Sequence, residues 1–165
     1  LNHCYAAEAV MRSLARRLGE DEEKWGVAGL LHDIDIEVTD ADLSRHCLEA
    51  QKILSAKGVD AEVVDAIVMH NEMATGRKRE TRFHHALAAA ETITGLIVAT
   101  TLVYPDKKLA SVKTKSVVKR MKEKAFAASV NRDIIMECET IGIPLNEFAE
   151  LSIAAMLQIS DRLGL

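Results

Sequence analysis

Residues 28–35, Ala28-Gly29-Leu30-Leu31-His32-Asp33-Ile34-Asp35, run an apolar helical stretch straight into an adjacent His-Asp pair. Upstream, Asp21-Glu22-Glu23 places acids at the positive end of a helix that carries Trp25, Val27, Ala28, Leu30 and Leu31. A helix that delivers two polar residues together at its C-terminal end has little structural reason to do so. Working outward, the period stays helical. Residues 3–18 put Ala6, Val10, Leu14 and Leu18 near one face, with Gly19 as a stop. Residues 34–43 are acidic and irregular, as expected of a surface loop. Helices are predicted at about 44–57, closed by Gly58, and at 60–71, opened by Asp60. The stretch 72–80, with Arg77-Lys78-Arg79, reads as an exposed loop.

A long apolar helix follows over about 82–103, ending at Tyr104-Pro105. Thr114 or Ser116 is expected to cap a basic helix reaching Lys124. Asn131 suits the N-cap of a helix to Ile141, and Pro144 the start of a last helix to about Leu163. No segment alternates with a period of two. The expectation is an all-α bundle of seven to eight helices forming one domain over 1–165, with a core at about 1–100 and a helical C-terminal extension at about 105–165.

The composition agrees with a packed chain: 165 residues, 48% apolar, 28% charged, 2 Pro and 8 Gly. Uninterrupted apolar runs fall short of the roughly 20 residues that span a bilayer, so no membrane partner is expected. No signal peptide is visible. The chain opens on Leu1 rather than Met, as expected of a piece of a longer gene product. Three scattered cysteines, Cys4, Cys47 and Cys138, argue against a disulfide framework and for a reducing, cytoplasmic setting.

The net charge of −4 is unevenly spread, because residues 107–132 hold nine basic residues against Glu123 alone. Such a strip faces phosphates or is simply a solvated helix face. One Trp, two Tyr and three Phe offer no stacking platform, which weighs against nucleic acid.

Of the six histidines, His3, His32, His46 and His70 fall at or near helix ends, and Glu91 is the only acid within the apolar run 86–104. A carboxylate there must be paired, solvated or metal-bound, since burying it unpaired costs several kcal/mol. Imidazoles with carboxylates suit divalent Fe, Mn, Ni, Co or Zn.

With these residues the chain resembles the HD-domain superfamily of metal-dependent phosphohydrolases. The pattern reads His3, then His32-Asp33 in AGLLHDID, His46 in RHCLEA, His70 in AIVMHNE and Glu91 in ALAAAETITG. The later segment KSVVKRMKEKAFAASVNRD also looks like a small prokaryotic branch of that superfamily. The resemblance implies that His3, His32, Asp33 and Glu91 hold a first divalent transition metal. Asp33 would bridge to a second, where present, held by His46 and His70. An activated water would then attack the phosphorus of a small phosphorylated metabolite or nucleotide.

The chain departs from the family pattern in three places. The last acid is usually Asp rather than Glu91, Asn71 stands where some branches have a further His, and Asp35 replaces the Gly of HDIG. No Gly-Tyr-Pro signature is present.

Around this set, Asp35 is expected to accept a proton or hold a metal-bound water. Arg45 would reach a phosphate or pair with the acidic loop. His84, two turns before Glu91, would contact substrate or mark the helix start, with His85 turned away and exposed. Lys115 and Lys119 would share a basic, substrate-facing side. Cys4 and Cys47, next to proposed ligands but about 100° away on a helix, are expected to pack rather than ligate. The superfamily also includes mixed-valence di-iron oxygenases and leaves room for a non-catalytic sensor or binding module. A homodimer stays open, since long apolar helices would also suit a dimer face.

Overall fold

The computed structural model describes residues 1–165, and its regular secondary structure is all helical. Seven helices have seven or more residues: α1 (Asn2–Leu18), α2 (Glu22–Leu31), α3 (Leu48–Ala56), α4 (Ala61–Met69), α6 (Arg82–Leu102), α7 (Thr114–Arg120) and α10 (Leu145–Leu157). Four single-turn helices join them: α5 (Glu72–Thr75), α8 (Arg132–Ile135), α9 (Glu137–Thr140) and α11 (Ser160–Leu163). The total exceeds seven to eight because one expected helix, 131–141, divides into α8 and α9, and because α5 and α11 are separate turns.

The α1–α2 hairpin is the tightest part of the fold. Gly19 takes the left-handed conformation (φ 72°) that ends α1, and the Asp21 side chain accepts from the Lys24 backbone N–H to open α2. Further on, the helices touch backbone to backbone. A Cβ on Gly29 would lie 2.7 Å from the Ala7 carbonyl oxygen and 2.8 Å from the Glu8 Cα. The antiparallel pair therefore brings the start of α1 against the end of α2, and His3 against His32.

Helix α6 is the central rod, in contact with α1, α2, α4 and α7–α10. Its Ala86–Ala90 run, Ile93, Leu96 and Ile97 are buried in an apolar cluster that extends from Ala6 to Leu163. By length and composition α6 is apolar enough to cross a membrane, yet two-thirds of that apolar window is buried inside the fold, as in a core helix.

Several loops differ from their expected form. Residues 34–43 are successive turns, but Asp35 and Thr39 within them are fully buried. The stretch 72–80 carries α5, and Arg79 is half-buried rather than exposed: it pairs with Glu137 at 2.6 Å and donates to the Met69 and His70 carbonyls. The basic helix stops at Arg120. Beyond it the guanidinium of Arg132 gathers the carbonyls of Ala127, Val130 and Phe126 from a series of turns. His85 is half-buried and donates to Glu137 instead of facing solvent. Arg79 and His85 thus tie α9 to the end of α4 and the start of α6.

Candidate metal centre

Four imidazoles and two carboxylates converge where the ends of α1, α2 and α4 meet the middle of α6. His32 and His70 are delivered by the same local device. Each follows the last residue of a helix, where carbonyls lack an intrahelical partner. Each turns its Nδ1–H onto the carbonyl three residues back, His32 to Gly29 at 2.8 Å and His70 to Ile67 at 2.6 Å. His46 gives its Nδ1–H to Asp35 at 2.7 Å. His3 gives its own to the Thr94 hydroxyl at 3.1 Å, and that hydroxyl in turn donates to the Glu91 carbonyl. With all four Nδ1 atoms so engaged, Nε2 is the atom that carries the free lone pair in each neutral ring.

The Nε2 atoms face one another in pairs. His3 Nε2 lies 3.1 Å from His32 Nε2, and His46 Nε2 lies 3.2 Å from His70 Nε2. Asp33 stands between the two pairs. One carboxylate oxygen is 3.8 Å from His3 and 3.5 Å from His32, and the other is 3.4 Å from His46. Glu91 Oε2 is 3.7 Å from His3, so its longer side chain still reaches the first pair. Ligands about 2.1 Å from a shared ion lie about 3.0–3.4 Å apart along the edges of its coordination polyhedron. The two nitrogen pairs and the His46–Asp33 contact fall in that range, the 3.5–3.8 Å carboxylate contacts correspond to wider ligand angles, and the nitrogen–oxygen donor set suits one or two divalent transition metals.

The electrostatics separate the groups. Burial, assisted by His32, pulls His3 down to about 4, and burial with the fields of His32 and His46 pulls His70 down to about 3. Burial lowers His32 as well. These three are neutral near pH 7, the form that ligates. At His46 burial opposes the charge, but hydrogen bonds to Asp33, Cys47 and Asp35 outweigh it and raise the pKa to about 11. Burial also disfavours ionised Asp33. The hydrogen bond from His46 and the fields of His32, His70 and His3 overcome it and hold the carboxyl below its ordinary range. Burial lifts Glu91 to about 7 against the Thr92 hydroxyl bond, with Asp33 adding to the rise.

The remaining expected residues fall elsewhere. Asp35 is wholly buried, and its carboxylate accepts from His46 Nδ1, the Cys47 N–H (2.8 Å) and the Ala50 N–H (2.9 Å). It faces no solvent, and in place of an open acceptor for a proton or a metal-bound water its carboxylate stands behind His46 and fixes that ring. His84 does not face the cluster. It completes a capping box with Thr81 at the start of α6 and donates from Nε2 to Asp65 at 2.6 Å. Arg45 is exposed and lines none of the cavities opening on the cluster, and Lys115 and Lys119, exposed on α7, line none either.

Three residues outside the expected set shape the site. Thr94 orients His3, one turn beyond Glu91, a spacing that helical periodicity does show. Asn71 donates to the Leu43 carbonyl at 2.8 Å and the His46 carbonyl at 3.1 Å, pinning the loop that carries His46. Cys47 lies closer than expected, with Sγ 3.5 Å from His70 Nδ1, and joins His46 and His70 in a group of ligand-type atoms. The 100° argument fails there because Cys47 precedes α3 in a left-handed conformation (φ 79°).

Comparison with known families gives one match, to the HD domain over residues 1–101, the span holding every residue of the cluster. No curated protein and no solved structure matches the chain. HD domains form a superfamily of metal-dependent phosphohydrolase type whose members bind divalent metals. By that match, over most of its length, the chain belongs to the HD-domain family.

Proposed function

We propose that this protein is a metal-dependent phosphohydrolase acting on phosphate esters of small molecules. The observation that carries the reading is the placement of Asp33, with one oxygen toward His3 and His32 and the other toward His46. His3, His32, Asp33 and Glu91 would hold one divalent ion, and His46, His70 and Asp33 a second. When bound, such ions lower the pKa of water and neutralise charge on phosphoryl oxygens.

The chain's own residues supply orientation. Asp35 locks the ring of His46, the Gly29 and Ile67 carbonyls lock His32 and His70, and Thr94 locks His3. Fixed rings lower the reorganisation needed when charge develops. No Lys or Arg lines the cavities that open on the cluster. Charge on the phosphoryl group would therefore be met at the cluster rather than by the basic strip of α7.

The test pairs metal analysis of protein purified without chelator with phosphoester hydrolysis. One or two Mn, Ni, Co or Zn per chain and turnover of a simple phosphomonoester are expected. Asp33→Ala should lower kcat by at least about a thousandfold with the helical content unchanged. Two irons per chain with oxygen consumption would transfer the site to the di-iron oxygenase reading, and a chain that binds no metal would leave a non-catalytic module.

A further inference from the structure

Three cavities meet at the cluster. One of about 260 Å³ lies over Asp33, His46, His70 and Glu91, and a second of about 260 Å³ over Glu91, Gly95 and Val130. The third, of about 410 Å³, runs along α6 over Gly95, Val98, Ala99 and Leu102, with Ala6 and Leu163 as its far wall. His3 lines all three, and Gly95 lines the last two, so they form one trough leading from the polar cluster onto an apolar floor. Leu102, at the outer end, is 52% exposed.

Gly95 is the unusual residue. It lies inside a 21-residue helix, where glycine is unfavourable relative to alanine. Close packing does not require it, since a Cβ there would meet only the Val130 side chain at 3.4 Å, an ordinary contact. Gly29 is the contrast, with its Cβ position filled by the backbone of α1. What the missing side chain at 95 leaves open is the saddle between cluster and groove.

We infer that the apolar groove receives the body of the substrate, so that the ester hydrolysed is a phosphate monoester of a hydrophobic alcohol rather than a nucleotide. The inference rests on the phosphohydrolase reading of the cluster. The trough holds no Lys or Arg for the additional charges of a di- or triphosphate, and no Tyr, Trp or Phe to stack on a base. Gly95 to Leu102 covers two helical turns, about 10 Å, which is the reach of an octyl chain.

The test is calorimetric binding of methyl-, butyl- and octylphosphonate to the Mn²⁺-loaded protein, with adenosine monophosphate as competitor. Affinity should rise by up to about fourfold for each added methylene. In Gly95→Leu the octyl compound should bind no better than the methyl one, and Leu102→Asp should weaken octyl more than butyl binding. Circular dichroism of both variants checks that they fold.

Binding of methylphosphonate with no dependence on chain length would overturn the inference and leave the phosphohydrolase reading standing. Tighter binding of the nucleotide than of octylphosphonate would overturn it too. Loss of self-association in Gly95→Leu, with length-independent phosphonate binding, would assign the groove to a second copy of the chain. Absence of any phosphonate binding would remove both readings.

Discussion

At the scale of single residues, the site depends on atoms that never touch a ligand. Asp35 shows this most clearly, because its two oxygens satisfy one imidazole and two backbone N–H groups in a place with no access to water. Asp35→Asn removes the charge and must turn an amide N–H toward one of three donors. We expect about 2–4 kcal/mol of destabilisation from the unmatched donor. Affinity at the His46–His70 pair should fall 10- to 100-fold, as for other residues that orient a metal ligand. Thermal melting and metal titration measure the two effects separately. An Asn variant with wild-type metal affinity would show that His46 needs no such support. The spacing of Asp33 and Asp35, with Ile34 between them, is plain in the sequence. Their division of labour is not, since it depends on which of the two carboxylates the turn after α2 folds inward.

At the scale of elements, the decisive contact is α1 against α2. The helices approach so closely at Gly29 that a methyl group would overlap the Ala7 backbone, which cannot swing aside as a side chain does. Gly29→Ala should push the N-terminal half of α1 outward and separate His3 from His32. The expected result is a loss of about 1–3 kcal/mol, with weaker metal binding at the His3–His32 pair. Denaturant melts and metal stoichiometry check this, and unchanged values would mean that α1 has more freedom than its packing implies. Gly26, whose Cβ position meets first the flexible Arg12 side chain at 2.6 Å, should tolerate Ala better. A second element-level contact is the Arg79–Glu137 pair, which joins the loop before α6 to α9 while Arg79 also holds the carbonyls at the end of α4. Arg79→Met would leave Glu137 half-buried with only His85 as partner. We expect a loss of about 3 kcal/mol and a Tm lower by roughly 6–12 °C, read by thermal melting.

At the scale of the molecule, the cluster concentrates unfavourable electrostatics in one place. Four imidazole Nε2 atoms and two carboxylates face each other across 3.1–3.8 Å, with protonated His46 the one positive group among them. A bound cation relieves this in the folded state and has no equivalent site in the unfolded chain, so metal should stabilise the fold by mass action. At a free concentration a hundred times Kd the gain is about 2.7 kcal/mol, or roughly 5–11 °C in Tm. Differential scanning calorimetry with and without a chelator measures it, and equal melting temperatures would mean that the cluster holds no ion. The ligands come from helices spread across the first 91 residues, so the same measurement reports on the whole bundle.

The sequence by itself determined the helical class, the main helix boundaries at Gly19, Asp21, Asp60, Asn131 and Pro144, and the order of His and acidic residues that marks the family. These are local properties, set by capping groups, glycine conformations and a 3.6-residue period. Tertiary structure decided which polar residues face the same point. Asp35 turned inward, His84 turned to Asp65, Cys47 swung toward His70 through a left-handed backbone, and Arg79 left its loop for Glu137. Each of these follows from where another helix lies, and a helical period gives the direction of a side chain only relative to its own axis.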